Sequence, residues 1–144
     1  MKINKKISIL VADGDQDDVY LLNELFEQYE LINPIHFVPN GVELLEFLQR
    51  EGKFRNVKKS PRPDLILLDL NMPKMDGIVA LESIKSNHLL EDIPIVVMTS
   101  SKTETDIARS LEYDVDGYIQ KPILFKSFSK VIELLSDKGI SIVD

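Results

Sequence analysis

The run Asp64-Leu65-Ile66-Leu67-Leu68-Asp69-Leu70-Asn71-Met72-Pro73-Lys74-Met75-Asp76-Gly77 decides the fold of this chain. Leu65 to Leu68 are continuously apolar. So short and uniform a run suits a strand buried on both faces, as in a parallel sheet, although periodicity alone also allows a short buried helix. Asp69 follows the run directly. Met72-Pro73 and Asp76-Gly77 supply turn chemistry, so the strand stops there. A carboxylate is thereby carried to the carboxyl end of a buried strand, the edge at which open α/β sheets bind ligands. Taken alone, Asp69 suits the cap of an ordinary loop equally well, and the rest of the chain has to decide.

Upstream, Ile7 to Ala12 reads as a second buried strand ending at Asp13. Asp13-Gly14-Asp15-Gln16-Asp17-Asp18 places four carboxylates in six residues. Val19, Leu21, Leu22, Leu25, Phe26 and Tyr29 then recur at helical spacing. Acids at a helix N-terminus are favoured by the macrodipole, which accounts for Asp17 and Asp18 but less well for Asp13 at the strand end. Pro34 and Pro39 bracket a short strand, Ile35 to Val38. Asn40-Gly41-Val42-Glu43 is a capping-box pattern ahead of an amphipathic helix carrying Leu44, Leu45, Phe47 and Leu48. Arg50 to Pro63 is a polar connection rich in Lys and Arg, long enough to be functional or mobile, and surface charge is the default reading of its basic residues.

Downstream, Ile78, Leu81 and Ile84 mark a short helix with Asp76 near its start. Ile93 to Met98 is a β-branched run ending at Thr99-Ser100-Ser101. Ser101 to Glu104 is another capping box, before a helix carrying Ile107, Ala108 and Leu111. Tyr118-Ile119 is a short strand between the Asp116-Gly117 turn and Lys121-Pro122. Leu124 to Leu135 forms a final helix that Gly139 stops, and Ile140 to Asp144 is a tail with no clear assignment.

Strand and helix thus alternate five times. That order predicts an α/β fold: a doubly wound five-stranded parallel sheet, order 2-1-3-4-5, flavodoxin-like, with helices on both faces. Right-handed crossovers put every strand's carboxyl end on one edge, which collects Asp13, Asp69, Thr99 and Lys121. The 144 residues are expected to form one domain, residues 1–144, with its core at about 7–136 and a tail at 137–144.

Composition limits the function classes. The net charge of −7 disfavours phosphate backbones, so no nucleic-acid partner is expected. There is no cysteine, which fits a reducing compartment. No stretch approaches the roughly 20 apolar residues of a membrane span, and the apolar run behind the basic N-terminus is too short for a signal sequence. A soluble, cytoplasmic protein with no membrane association is expected.

Two carboxylates at neighbouring strand ends repel one another and favour a divalent cation or an ammonium. Oxygen ligands of this kind suit Mg²⁺, which uses one or two carboxylates, waters and phosphate oxygens. Aspartate is a competent nucleophile for phosphoryl transfer, and a hydroxyl and a lysine can hold the transferred oxygens. Thr99 alone reads as a strand-end hydroxyl and Lys121 alone as surface charge. Their joint placement is what points to function.

From about Ile7 to Leu135 the constellation resembles the receiver domain of two-component response regulators. The resemblance rests on Asp13, on Leu68-Asp69-Leu70-Asn71-Met72-Pro73-Lys74-Met75-Asp76-Gly77, on Thr99-Ser100 and on Lys121-Pro122. The lengthened Arg50–Pro63 connection resembles stand-alone receivers related to cyanobacterial phytochrome regulators. The resemblance implies that Asp69 accepts phosphate from a histidine kinase or histidine phosphotransfer protein. Asp13, Asp69 and the backbone carbonyl of Asn71 would hold Mg²⁺. Thr99 would bond the phosphoryl group, with Ser100 small enough to leave room. Lys121 would pair with Asp69, aimed by a cis Lys121-Pro122 bond. Tyr118 would be the aromatic switch residue, and Asn71 and Ser101 would tune phosphate loss. Such a receiver is no enzyme beyond catalysing its own phosphorylation and dephosphorylation. It would signal to an as yet unknown downstream protein, and the sequence leaves open whether it forms a homodimer.

One position departs from the pattern. Gly14 stands where the family usually has the acid that touches the metal directly, so a weakened Mg²⁺ site is expected. Asp15 is the alternative ligand if it turns inward, although it also suits a helix cap. Glycine at position 14 equally suits a turn that needs positive φ. The runner-up function is therefore a degenerate receiver, acting as a phosphorylation-independent binding module. An aspartyl-phosphate phosphohydrolase of the haloacid dehalogenase type would need an acid where Asn71 stands. A flavodoxin-like FMN carrier would set its phosphate against Asp13, Asp15, Asp17 and Asp18.

Overall fold

The computed structural model describes residues 2–3, 7–28, 35–137 and 142–143. Five strands, β1 (Ile9–Ala12), β2 (His36–Val38), β3 (Leu65–Asp69), β4 (Ile95–Thr99) and β5 (Gly117–Gln120), form one parallel sheet in the order β2-β1-β3-β4-β5. This is the flavodoxin-like 2-1-3-4-5 arrangement expected from the sequence. Helices α1 (Gln16–Glu27), α2 (Gly41–Gln49), α3 (Gly77–Lys85), α4 (Lys102–Ser110) and α5 (Phe125–Asp137) alternate with them.

Every residue of β1, β3 and β4 is buried, the pattern of strands covered on both faces. Alternation along each strand divides the core into two layers. Ile9, Val11, Leu65, Leu67, Val96 and Met98 pack with Leu22, Leu25 and Phe26 of α1 and with Phe128, Val131 and Leu135 of α5. Leu10, Ala12, Ile66, Leu68, Ile95 and Val97 pack with Leu44 and Phe47 of α2, Leu81 and Ile84 of α3 and Ala108 of α4. One residue of slip in β3 would exchange the two layers, so register is tightly specified. Phe26 and Phe128 join α1 to α5 edge-to-face, with ring centroids 4.7 Å apart.

The expected caps are present where they can be described. Asn40 Oδ1 accepts from the Glu43 N–H at 2.8 Å, and the Asn40 amide donates to Glu43 Oε2 at 3.0 Å. Asp76 caps α3 through the Val79 N–H at 2.9 Å. Observed strands β1 and β4 start two residues later than their apolar runs, at Ile9 and Ile95, because neighbouring strands pair only from there. Ile7 and Ile93 are buried all the same. Tyr29, Pro34 and Gly139 lie outside the described residues.

The Arg50–Pro63 connection is structured rather than loose. Gly52–Phe54 is a 3₁₀ turn whose Phe54 packs on Phe47 at 5.2 Å. Lys53 pairs with Glu43, the Arg50 Nε–H donates to the Ser60 carbonyl and Arg62 donates to the Leu89 carbonyl. In the tail, Ile142–Val143 pairs antiparallel with Lys2–Ile3. Among the described residues no helix is long and apolar enough to cross a membrane.

Candidate phosphoacceptor site

The sheet's carboxyl edge opens into a cleft of about 380 Å³ lined by Asp15, Asp18, Asp69, Asn71, Ser100, Lys121 and Pro122. Asp69, the last residue of the central strand, is 2% exposed. Its Oδ1 accepts the Asn71 N–H at 3.0 Å, an Asx turn that folds the chain back over the strand end. Close packing holds that turn. The Gly77 N–H donates to the Leu70 carbonyl at 2.8 Å, and a Cβ on Gly77 would overlap the Asp69 carbonyl oxygen and Leu70 Cα. Glycine there lets α3 begin directly beneath Asp69.

Asp13 is equally buried at the neighbouring strand end, where its Oδ1 accepts the Asp15 N–H at 2.8 Å. Lys121 reaches both acids: Nζ lies 3.1 Å from Asp13 Oδ2 and 3.0 Å from Asp69 Oδ2. The Lys121–Pro122 peptide is cis. The contact with Asp13 is one of charge alone, since Asp13 Oδ2 is buried and receives no aligned hydrogen bond. Burial pushes the Asp13 carboxyl up to about 7, with Asp69 adding to the rise and the Asp15 N–H and Lys121 opposing it. Burial alone would lower the Lys121 pKa, but hydrogen bonds to Asp18 and Asp69 and the charges of Asp13 and Asp69 outweigh it and hold the ammonium protonated.

The sequence-based reading assigned Asp18 only to the helix N-terminus. In the structure its Oδ2 makes the shortest contact to Lys121, 2.6 Å from Nζ. The only sequence signal is local: residue 18 lies in the first turn of a helix that starts three residues after a strand-end acid, which suits a helix N-terminus and does not point to Lys121. Asp15 is the cap of α1, its Oδ1 accepting from the N–H groups of Asp17 and Asp18 at 2.8 and 3.4 Å. Gly14 does not owe its place to positive φ. A Cβ there would lie 2.9 Å from the Pro39 carbonyl oxygen and 3.0 Å from Pro73 Cδ, so close approach of three loops is what makes a side chain costly.

Thr99 is fully buried at the end of β4, and its hydroxyl shares a 2.8 Å hydrogen bond with that of Thr105 on α4. Thr105 also donates to the Ser101 carbonyl at 3.2 Å. Tyr118 lies outside the cleft, with the Arg109 guanidinium 4.3 Å from its ring centroid. The structure thus brings together Asp13, Asp69 and Lys121, adds Asp18, and sets Thr99, Ser100 and Asn71 around them. Thr105 and Arg109, which tie α4 to Thr99 and Tyr118, were not singled out from sequence.

The donor set suits a hard divalent cation. Two buried carboxylate oxygens already converge on one cationic centre, and one of them lacks any aligned hydrogen-bond donor. Among the described residues no three carboxylates or imidazoles form a metal cage of their own. A site here would rely on waters and a backbone carbonyl, as Mg²⁺ sites commonly do.

Residues 9–133 match the response regulator receiver domain family. Response regulator Rcp1 of Synechocystis sp. is 38% identical over 128 residues, covering 89% of this chain and 84% of its own. The solved structure of the Mn²⁺-bound form of Rcp1 superposes with a TM-score of 0.76, at 33% identity, over 96% of this chain and 97% of that one. The bacteriophytochrome response regulator RtBRR gives a TM-score of 0.82 at 35% identity, covering 97% of this chain and 82% of that one. The phosphorylated cyanobacterial phytochrome response regulator RcpA gives 0.79 at 32%, covering 97% and 100%. The chain belongs to the response regulator receiver family of two-component signalling. The likeness to phytochrome response regulators read from the sequence is carried by these relatives.

Proposed function

We propose that this receiver takes a phosphoryl group on Asp69 from a histidine kinase or histidine phosphotransfer protein, in a Mg²⁺-dependent reaction, and signals through a partner-binding face that changes on phosphorylation. The observation that carries the reading is the meeting of Asp69 and Asp13 around Lys121 at the end of the central strand. An Asp69 carboxylate oxygen forms the new bond to phosphorus while the P–N bond of the phosphohistidine breaks, and the departing imidazole takes up a proton. Asp13, Asp69 and the Asn71 backbone carbonyl would hold the Mg²⁺, which supplies charge neutralisation on the phosphoryl oxygens when bound. Lys121 offsets the remaining charge. The Thr99 hydroxyl donates to a phosphoryl oxygen once it leaves Thr105, and Ser100 leaves room beside it.

The chain turns over no separate substrate; it catalyses only its own phosphorylation and dephosphorylation, in the cytoplasm beside its kinase. The Mg²⁺ site is weaker than in a receiver with two acids at the first strand end, because the turn at Gly14 leaves that position to water. Gly14 is also the one observation favouring a second reading, a binding module that needs no phosphorylation. Intact mass after acetyl phosphate treatment, with and without Mg²⁺, separates the two. One phosphoryl group gained only with Mg²⁺ supports phosphorylation, whereas no gain at any Mg²⁺ concentration favours the binding module.

A further inference from the structure

Lys121 faces three carboxylates, of Asp13, Asp18 and Asp69, and the closest is the one on α1. The lysine side chain is 13% exposed and Asp18 is 17% exposed, so this pair is shielded from solvent. The three acids do not occupy equivalent places. Asp13 and Asp69 end adjacent strands and are fixed by the N–H groups of Asp15 and Asn71. Asp18 stands on the first turn of α1, on the cleft's other wall. A divalent cation taking Asp13 and Asp69 would repel an ammonium left between them. Lys121 needs another acceptor at that moment, and Asp18 is already within 2.6 Å of it. The turn at Gly14 carries no acid to play this part.

We propose that Asp18 is the positioning residue of Lys121: it holds the ammonium aside when a divalent cation occupies Asp13 and Asp69. This inference rests on the metal site proposed above. The pair Asp18–Lys121 then works as a unit. When a divalent cation takes the strand-end acids, Lys121 would stay on Asp18 rather than go into water, and so remain within the cleft to meet an arriving phosphoryl group.

The test is a double-mutant cycle read by Mg²⁺ titration in the absence of any phosphodonor, followed by NMR shifts of the amides of Asp69 and Asn71. Asp18→Asn is expected to weaken Mg²⁺ binding about tenfold, as coupled charged neighbours do. Asp17→Asn removes the same charge next door without a contact to Lys121, and is expected to weaken binding only about twofold, as a screened surface charge does. In the Lys121→Gln background, Asp18→Asn is expected to fall to that same small effect. In metal-free protein, Asp18→Asn should also move the Lys121 ammonium resonance. An equal loss in both backgrounds would make Asp18 a ligand or a mere charge and overturn the inference, as would wild-type affinity in Asp18→Asn. Wild-type protein that binds no Mg²⁺ at these amides would overturn the metal site itself along with it.

Discussion

The hydroxyls of Thr99 and Thr105 lie 2.8 Å apart, so the residue at the end of β4 is tied to α4. Thr99 is fully buried, and a buried hydroxyl left without its partner is costly. Thr105→Val is therefore expected to lower unfolding stability by about 1–2 kcal/mol in urea titrations, with Thr105→Ser restoring most of it. With that bond gone the Thr99 side chain is less restrained, so Thr105→Val should also move the Tyr118 resonances of the unphosphorylated protein toward their phosphorylated positions. Unchanged stability and unchanged Tyr118 shifts would show that the bond does not restrain Thr99.

Tyr118 is the expected output of that movement. If Thr99 turns to a phosphoryl oxygen it vacates space that Tyr118 can fill; the Tyr118 ring now lies under the Arg109 guanidinium. Phosphorylation should change amide exchange across Ser101 to Leu111, at Tyr118 and along Leu124 to Leu135, a face that already exposes Ile107, Leu111, Leu124 and Phe125. Changes confined to Val19 to Glu27 of α1 would contradict the switch.

Gly14 sets up a trade between metal affinity and stability. An aspartate there adds a carboxylate to the cleft, and Gly14→Asp is expected to tighten Mg²⁺ binding. Its Cβ would press on the Pro39 carbonyl and the Pro73 ring, so the metal-free variant should lose about 1–3 kcal/mol of stability. Gly77→Ala, which gains nothing at the metal, should lose at least as much, since its Cβ meets main chain on the Asp69–Leu70 side. Urea unfolding with and without Mg²⁺ checks both. A fully stable Gly14→Asp protein would mean that the loops move freely.

Asp13 gives the metal-free protein a pH dependence of defined sign. Its carboxyl is raised by burial from 3.8 to about 7, so between those values the folded protein holds a proton that the unfolded chain has lost. Its contribution to stability is therefore largest at low pH and is lost as pH rises toward about 7. His36 opposes this, because burial lowers its pKa below 6.5 and its contribution grows as pH rises through that range. The stability difference between wild type and Asp13→Asn cancels the His36 contribution. It should shift in favour of Asp13→Asn from pH 5 to pH 8, and a flat difference would mean that Asp13 titrates in its ordinary range.

The sheet was legible because its three central strands are buried on both faces, and uniform runs such as Leu65–Leu68 and Ile95–Met98 have few other uses. Asp13, Asp69 and Lys121 were legible because strand ends are where a topology gathers residues distant in sequence. Asp18 was not, because a first-turn acid already has a sufficient local explanation and nothing local points it at Lys121, 103 positions away. Thr105 and Arg109 were hidden in the same way, since their partners Thr99 and Tyr118 meet them only once α4 packs on the sheet. At Gly14 the sequence offered backbone freedom, and the structure gives the close approach of Pro39 and Pro73 instead.

The central claim is that Asp69 is the phosphoacceptor, and peptide mapping of acetyl phosphate-treated protein tests it most directly. Wild-type protein with Mg²⁺ should carry one acid-stable, base-labile phosphoryl group on the peptide containing Asp69. Asp69→Asn, nearly isosteric and folded, should carry none. A full equivalent of base-labile phosphate on Asp69→Asn protein would contradict the assignment.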